Sequence, residues 1–193
     1  MSSPFDPSTI EAVILTGGAS RRMGSDKATL EVDSVSMALR TARKLEELKI
    51  PVTVLGRTPL EGFGFIADQK DFQGPMVALS AFSPSRQWVF VASCDMPRFE
   101  ASIVRVLANL ATSTDADALI PSIEGRLQPL LGLYRDEAFA SLSKGMRSMM
   151  AWLNTLKVVA LPLEKSCLNV RHYVSANTPE ELARILADDP RIP

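Results

Sequence analysis

The run Trp88-Val89-Phe90-Val91-Ala92-Ser93-Cys94 restricts the fold of this chain more than any other stretch. Its β-branched and aromatic residues favour an extended strand. It lacks the alternation of a strand with one wet face, so both of its faces must be covered. Parallel sheets with helices on either side meet that condition. The rest of the chain can supply the cover. Residues 12–15, 52–55, 63–67, 118–121, 130–134 and 158–163 read as further strands. Residues 35–48 place Val35, Ala38, Leu39, Ala42, Leu45 and Leu48 at helical spacing. Helices are also expected at 76–82, behind Gly74-Pro75, and at 101–110, 137–142 and 148–156. A last helix begins with Thr178 as N-cap, Pro179 at the first position and Glu181 at the third, a capping box. Leu182, Ile185 and Leu186 would be its buried stripe. Strand and helix in alternation predict an α/β, three-layer, Rossmann-like fold with a mostly parallel twisted sheet.

No repeat or linker divides the 193 residues. One domain over 1–193 is expected, with residues 1–9 as a flexible lead. A net charge of −1 argues against a nucleic-acid partner, which needs a basic field. The N-terminus has neither the basic region nor the apolar run of a signal peptide, and no window is long and apolar enough to span a bilayer. A cytoplasmic protein without membrane contact is expected. Cys94 and Cys167 lack metal-site spacing. Cys94 reads as a buried packing thiol.

After the strand at 12–15 the chain reads Leu15-Thr16-Gly17-Gly18-Ala19-Ser20-Arg21-Arg22-Met23-Gly24-Ser25-Asp26-Lys27. Glycines admit a ligand close to backbone N–H groups, and Arg21, Arg22 and Lys27 add positive charge, a combination suited to a polyphosphate. The spacing is neither that of a P-loop nor that of a dinucleotide-binding turn. In open α/β sheets ligands lie outside the carboxyl ends of the strands, which is where this loop must be. Asp95 follows the strand at 88–94 and would share that edge. It is placed either to bind Mg²⁺, which prefers one or two carboxylates plus phosphate oxygens, or to cap the next helix. Asp68 follows the strand at 63–67. Arg126 and Arg147 are either phosphate ligands or solvated surface charges. Nothing pairs the sole histidine, His172, with a nucleophile.

The glycine loop resembles the signature of the molybdenum cofactor guanylyltransferases, the MobA-like nucleotidyltransferases, with Thr16 where that family usually has Ala. Ser93-Cys94-Asp95-Met96-Pro97 is similar to the family's Cys-Asp-Met-Pro segment, and Ser175-Ala176-Asn177-Thr178-Pro179-Glu180-Glu181-Leu182 to its Asn-x-Asn-Thr-Pro-Glu-Glu-Leu. The paired glycines and the Asp26-Lys27 ending lean to the guanine branch rather than the related cytidylyltransferases. The resemblance implies a nucleotidyltransferase fold that transfers GMP from GTP to molybdopterin with Mg²⁺. It implies Leu15, Thr16, Gly17, Gly18, Lys27, Asp68 and Asp95 at the nucleotide. Arg22, Lys27 and Asp95 would be catalytic, with Asp95 the metal ligand. Gln128, from Gln128-Pro129-Leu130, Arg147 and Asn177 would face the acceptor. Molybdoenzymes or cofactor-insertion proteins would be partners. The chain departs from the pattern at Leu55, where the family tends to carry Asn, at Ala78, where Gly is usual, and at Ser175. A CTP-using relative, another phosphorylated acceptor, or a nucleotide-binding module without catalysis stay open alternatives.

Overall fold

The computed structural model describes residues 5–16, 31–32, 34–68, 74–142, 146 and 148–187. Among them the chain forms β1 (Ile10–Leu15), the short β2 (Glu31–Val32) and β3 (Val35–Ser36), α1 (Met37–Glu46), β4 (Val52–Gly56), β5 (Gly64–Ala67) and α2 (Pro75–Ser80). There follow β6 (Trp88–Ser93), α3 (Ser102–Ala111), β7 (Ala118–Ile123), β8 (Arg126–Leu127), β9 (Leu131–Arg135), α4 (Asp136–Phe139), α5 (Met149–Leu153), β10 (Val158–Pro162) and α6 (Pro179–Ala187).

Eight strands make one sheet in the order β10-β7-β9-β6-β1-β4-β5, with β8 beside β7. β1 lies in parallel between β4 and β6, and β4–β5 and β7–β10 are parallel pairs. Only β9 among the long strands is antiparallel to its neighbours, β6 and β7. Alternate residues point to opposite faces. Ala12, Ile14, Phe90 and Ala92 join α1 (Ala38, Ala42, Leu45) and α3 (Ile103, Val104, Leu107) in one core. Val13, Leu15, Val89 and Val91 join Leu79 of α2, Phe139 of α4 and Trp152 of α5 in the other. The apolar run at 88–94 is thus covered twice, as its composition requires.

Several boundaries differ from the sequence reading. α1 starts two residues later than expected, because Val35 and Ser36 pair with β2. Ser36 then caps the helix, its Oγ accepting from the Leu39 N–H at 3.2 Å. The lead is structured from Phe5 onward. Asp6 Oδ1 accepts from the Ser8 N–H at 2.9 Å to cap a 3₁₀ turn at Pro7–Thr9, and the Arg105 guanidinium lies over the Phe5 ring at 4.5 Å. The stripe of α6 is half-buried rather than buried, since this helix sits on the rim. Its cap is nonetheless built: Thr178 Oγ1 accepts from the Glu181 N–H at 3.1 Å. Glu181 Oε2 reaches back to the Asn177 N–H at 2.7 Å.

Candidate functional site

The candidate site is the edge where β5, β4, β1 and β6 all end. Register places Ile66, Leu55, Leu15 and Ser93 in one row across these strands. One residue further on the row is Ala67, Gly56, Thr16 and Cys94. Asp68 and Asp95 follow, just beyond β5 and β6. Sequence neighbours of four separate strands therefore meet along one line.

Leu15 and Thr16 are buried where β1 gives way to the glycine loop. The Thr16 N–H and hydroxyl both donate to the Leu55 carbonyl, at 2.9 and 3.2 Å. The hydroxyl is thus engaged in fastening the loop's first residue to β4. Gly17, Gly18, Arg22 and Lys27 lie outside the described residues, as does Arg147.

Asp68 is half-buried, and its N–H extends the β4–β5 ladder to the Gly56 carbonyl at 2.8 Å. It lines a cleft of about 280 Å³ with Leu55, Ile66, Val77 and Ala78. That volume is near the lower end for small-molecule pockets, roughly 300 Å³. Two of the departures from the family pattern, Leu55 and Ala78, therefore fall in one cleft beside Asp68. The chain enters α2 through Gly74 at φ 83°, a left-handed conformation that favours glycine, with Pro75 at the first helical position.

Asp95 is half-buried. The Ser93 hydroxyl donates to Asp95 Oδ1 at 2.7 Å, and the Asp95 carbonyl accepts from the Ala176 N–H at 2.8 Å. Side chain and backbone of this residue are thus both held, the first by the end of β6 and the second by the segment before α6. Sequence reasoning missed Ser93 because a hydroxyl two residues before a carboxylate has no signature of its own. The Asp95–Ala176 tie also puts Asn177 one residue from the Asp95 loop, with Asn177 exposed. Among the described residues no group of three or more His, Cys, Asp or Glu converges as a metal cage. A single oriented carboxylate fits Mg²⁺ all the same, since that ion takes most of its ligands from water and phosphate.

Gln128 arrives at the same edge from the other direction. β9 is antiparallel, so its beginning lies beside the end of β6, and the Ser93 N–H donates to the Leu130 carbonyl at 2.9 Å. The Gln128 N–H donates to the Pro121 carbonyl at 2.8 Å and its side-chain amide to the Arg126 carbonyl at 3.1 Å. Arg126 itself is exposed on β8. Beneath this turn the Tyr134 hydroxyl donates to the Pro129 carbonyl at 2.7 Å, and burial pushes its pKa far up, so it stays a donor. Cys94 is buried in the core and Cys167 is exposed. His172 lies in a 3₁₀ turn at Val170–Tyr173, its ring edge-on to Tyr173.

Comparison with known proteins places this geometry. The chain is 29% identical to a probable molybdenum cofactor guanylyltransferase of Synechococcus elongatus, over 88% of this chain and 94% of the relative. It is 29% identical to a protein of the same description from Mycobacterium avium, over 92% and 95%. In fold it is similar to the crystal structure of molybdopterin-guanine dinucleotide biosynthesis protein A from Archaeoglobus fulgidus. The TM-score is 0.72 at 23% identity, covering 91% of this chain and 96% of that one. The family model described as MobA-like NTP transferase domain matches residues 12–159, so the chain belongs to that family of nucleotidyltransferases.

Proposed function

We propose that this chain is a molybdenum cofactor guanylyltransferase that transfers GMP from GTP to the terminal phosphate of molybdopterin, or of its metal-loaded form. The observation that carries the reading is that Asp68, Thr16 and Asp95 follow the ends of β5, β1 and β6 on one edge of the sheet. Relatives named as guanylyltransferases align over nearly the whole chain and support the choice of GTP.

In this reading the nucleoside enters the cleft of Leu55, Asp68 and Ala78. The triphosphate lies along the glycine loop, whose start Thr16 holds against β4, and Arg22 and Lys27 draw in the negative charge. Guanylyltransferases of this family generally use a divalent metal. Asp95, aligned by Ser93, would hold Mg²⁺ here, and the bound ion would lessen the charge on the phosphates. The acceptor approaches from the side of Gln128, Arg147 and Asn177. Its phosphate oxygen attacks the α-phosphorus, the bond to the bridging oxygen breaks, and pyrophosphate leaves with the electron pair. No covalent enzyme intermediate is needed, so the protein works by positioning and charge neutralisation. Such a reaction belongs in the cytoplasm, and no helix among the described residues is long and apolar enough to cross a membrane. The product would pass to molybdoenzymes or the proteins that insert the cofactor.

The test is pyrophosphate release from GTP, Mg²⁺ and molybdopterin, with CTP in parallel. Release with GTP above CTP is expected, and Lys27→Ala should nearly abolish it. Preference for CTP would move the chain to the cytidine branch, where Leu55 and Ala78 would be the reason. Nucleotide binding with no pyrophosphate at all would leave a binding module.

A further inference from the structure

β6 is paired on both sides up to its last residue. Ser93 lies in register with Leu15 of β1, and its N–H donates to the Leu130 carbonyl at 2.9 Å. The direction of the Ser93 side chain is therefore set by a strand that cannot turn. Asp95 stands just past that strand, where the ladder no longer holds it. The Ala176 N–H holds its backbone, and the Ser93 hydroxyl holds its carboxylate, at 2.7 Å to Oδ1. That distance is an ordinary one for a good O–H···O bond. A hydroxyl has one proton to give, and Ser93 gives it to Asp95. Asp95 has further interactions as well, so Ser93 is one support among several.

The bond has two consequences for a cation. It fixes the orientation of the carboxylate in advance, so that a metal does not have to order it on binding. It also engages Oδ1, which weighs against a grip through both oxygens at once. Ca²⁺ accepts that grip, because it tolerates many ligands in irregular geometry. Mg²⁺ demands a near-ideal octahedron, into which the narrow bite of a single carboxylate fits poorly.

We propose that Ser93 is a positioning residue for the metal site: its hydroxyl presents Asp95 to a divalent cation through one carboxylate oxygen, favouring Mg²⁺ or Mn²⁺ over Ca²⁺. This role rests on Asp95 being the metal ligand in GMP transfer. Ser93 acts through Asp95 and is not itself catalytic.

Mn²⁺ broadens the NMR signals of nuclei near it, so the experiment is a site-resolved titration of the full chain with Mn²⁺ alone. Saturable broadening is expected at the amides of Cys94, Asp95, Met96 and Ala176, reversed by Mg²⁺ at lower concentration than by Ca²⁺. Asp95→Asn should remove it. Ser93→Ala should raise the Mn²⁺ midpoint at least about tenfold and narrow the gap between Mg²⁺ and Ca²⁺. Ser93→Thr keeps the hydroxyl and should restore most of both. Pyrophosphate release should follow. In Ser93→Ala the Mg²⁺ needed for half-maximal rate should rise by a similar factor, while the rate at saturating Mg²⁺ falls less. Calorimetry on each variant separates these effects from a loss of fold. Equal Mn²⁺ affinity in the wild type and Ser93→Ala overturns the proposal and leaves Asp95 as the ligand. So does a folded Ser93→Thr as weak as Ser93→Ala. Broadening that survives Asp95→Asn, or none in the wild type, removes the ligand itself and the role of Ser93 with it.

Discussion

The β1–β4–β5 side of the sheet edge and the β7–β9 side bring residues to the site in opposite ways. On the first side every strand is parallel, so each contributes the residue that follows it: Thr16 after β1, Asp68 after β5. On the second, β9 runs backwards and contributes what precedes it, Gln128-Pro129-Leu130. The supports differ too. Thr16 and Asp68 are tied by ladder-type bonds to β4. The turn at Gln128 rests on an aromatic stack, Tyr134 over Trp152 with centroids 4.8 Å apart and Phe139 edge-on to both. One side is tuned through strand ends and cleft walls, the other through its packing.

Changes at the shared boundary should have the largest effect. Asp95→Asn keeps the shape and removes the charge, so pyrophosphate release should fall about a hundredfold to a thousandfold with the melting temperature nearly unchanged. Retained turnover would take Asp95 out of the reaction. Next, Gly132→Ala tests the packed side. A Cβ there would meet Ile120 Cδ1 at 2.5 Å and Tyr134 Cε2 at 2.9 Å. Overpacking of this kind costs about 1–3 kcal/mol. Calorimetry should show a lower melting temperature, while GTP affinity stays within about twofold. Ala78→Leu tests the other side with the reverse outcome. Filling the cleft should weaken GTP about tenfold by isothermal titration, or about 1.4 kcal/mol, and leave melting alone. The smallest change is Ser141→Ala, which takes away the acceptor of the Trp152 Nε1–H bond at 2.9 Å. A loss of about 1 kcal/mol, or roughly 2–4 °C in melting, is expected, again without change in GTP affinity. If Gly132→Ala alters GTP binding as much as Ala78→Leu does, the two sides are not independent.

The same contrast explains what was legible beforehand. β1, β4, β6 and β7 are apolar enough to announce themselves, and the edge on which Asp68 and Asp95 meet follows from parallel topology alone. The direction of β9 is not encoded in hydropathy, since Leu131–Arg135 would read alike either way. β8 was not legible either, since it is two residues long and its turn shows itself only in the backbone. Glu124-Gly125 is a two-residue turn with φ of 49° and 75°, the conformation of a tight hairpin. The capping box at Thr178 was readable as a local motif. Ser93 was not, because a hydroxyl two residues before a carboxylate carries no signature until the end of β6 aligns the pair.

The bond from the Ala176 N–H to the Asp95 carbonyl also bears on how the protein is made. Strands β1, β4, β5 and β6 leave the ribosome early, and with them the cleft and the residues that would grip a nucleotide. The loop carrying Asp95 receives its last support only when the segment before α6 has been synthesised. The cleft beside Asp68 is thus built from the first half of the chain, whereas the backbone of Asp95 is held by a segment from near its end.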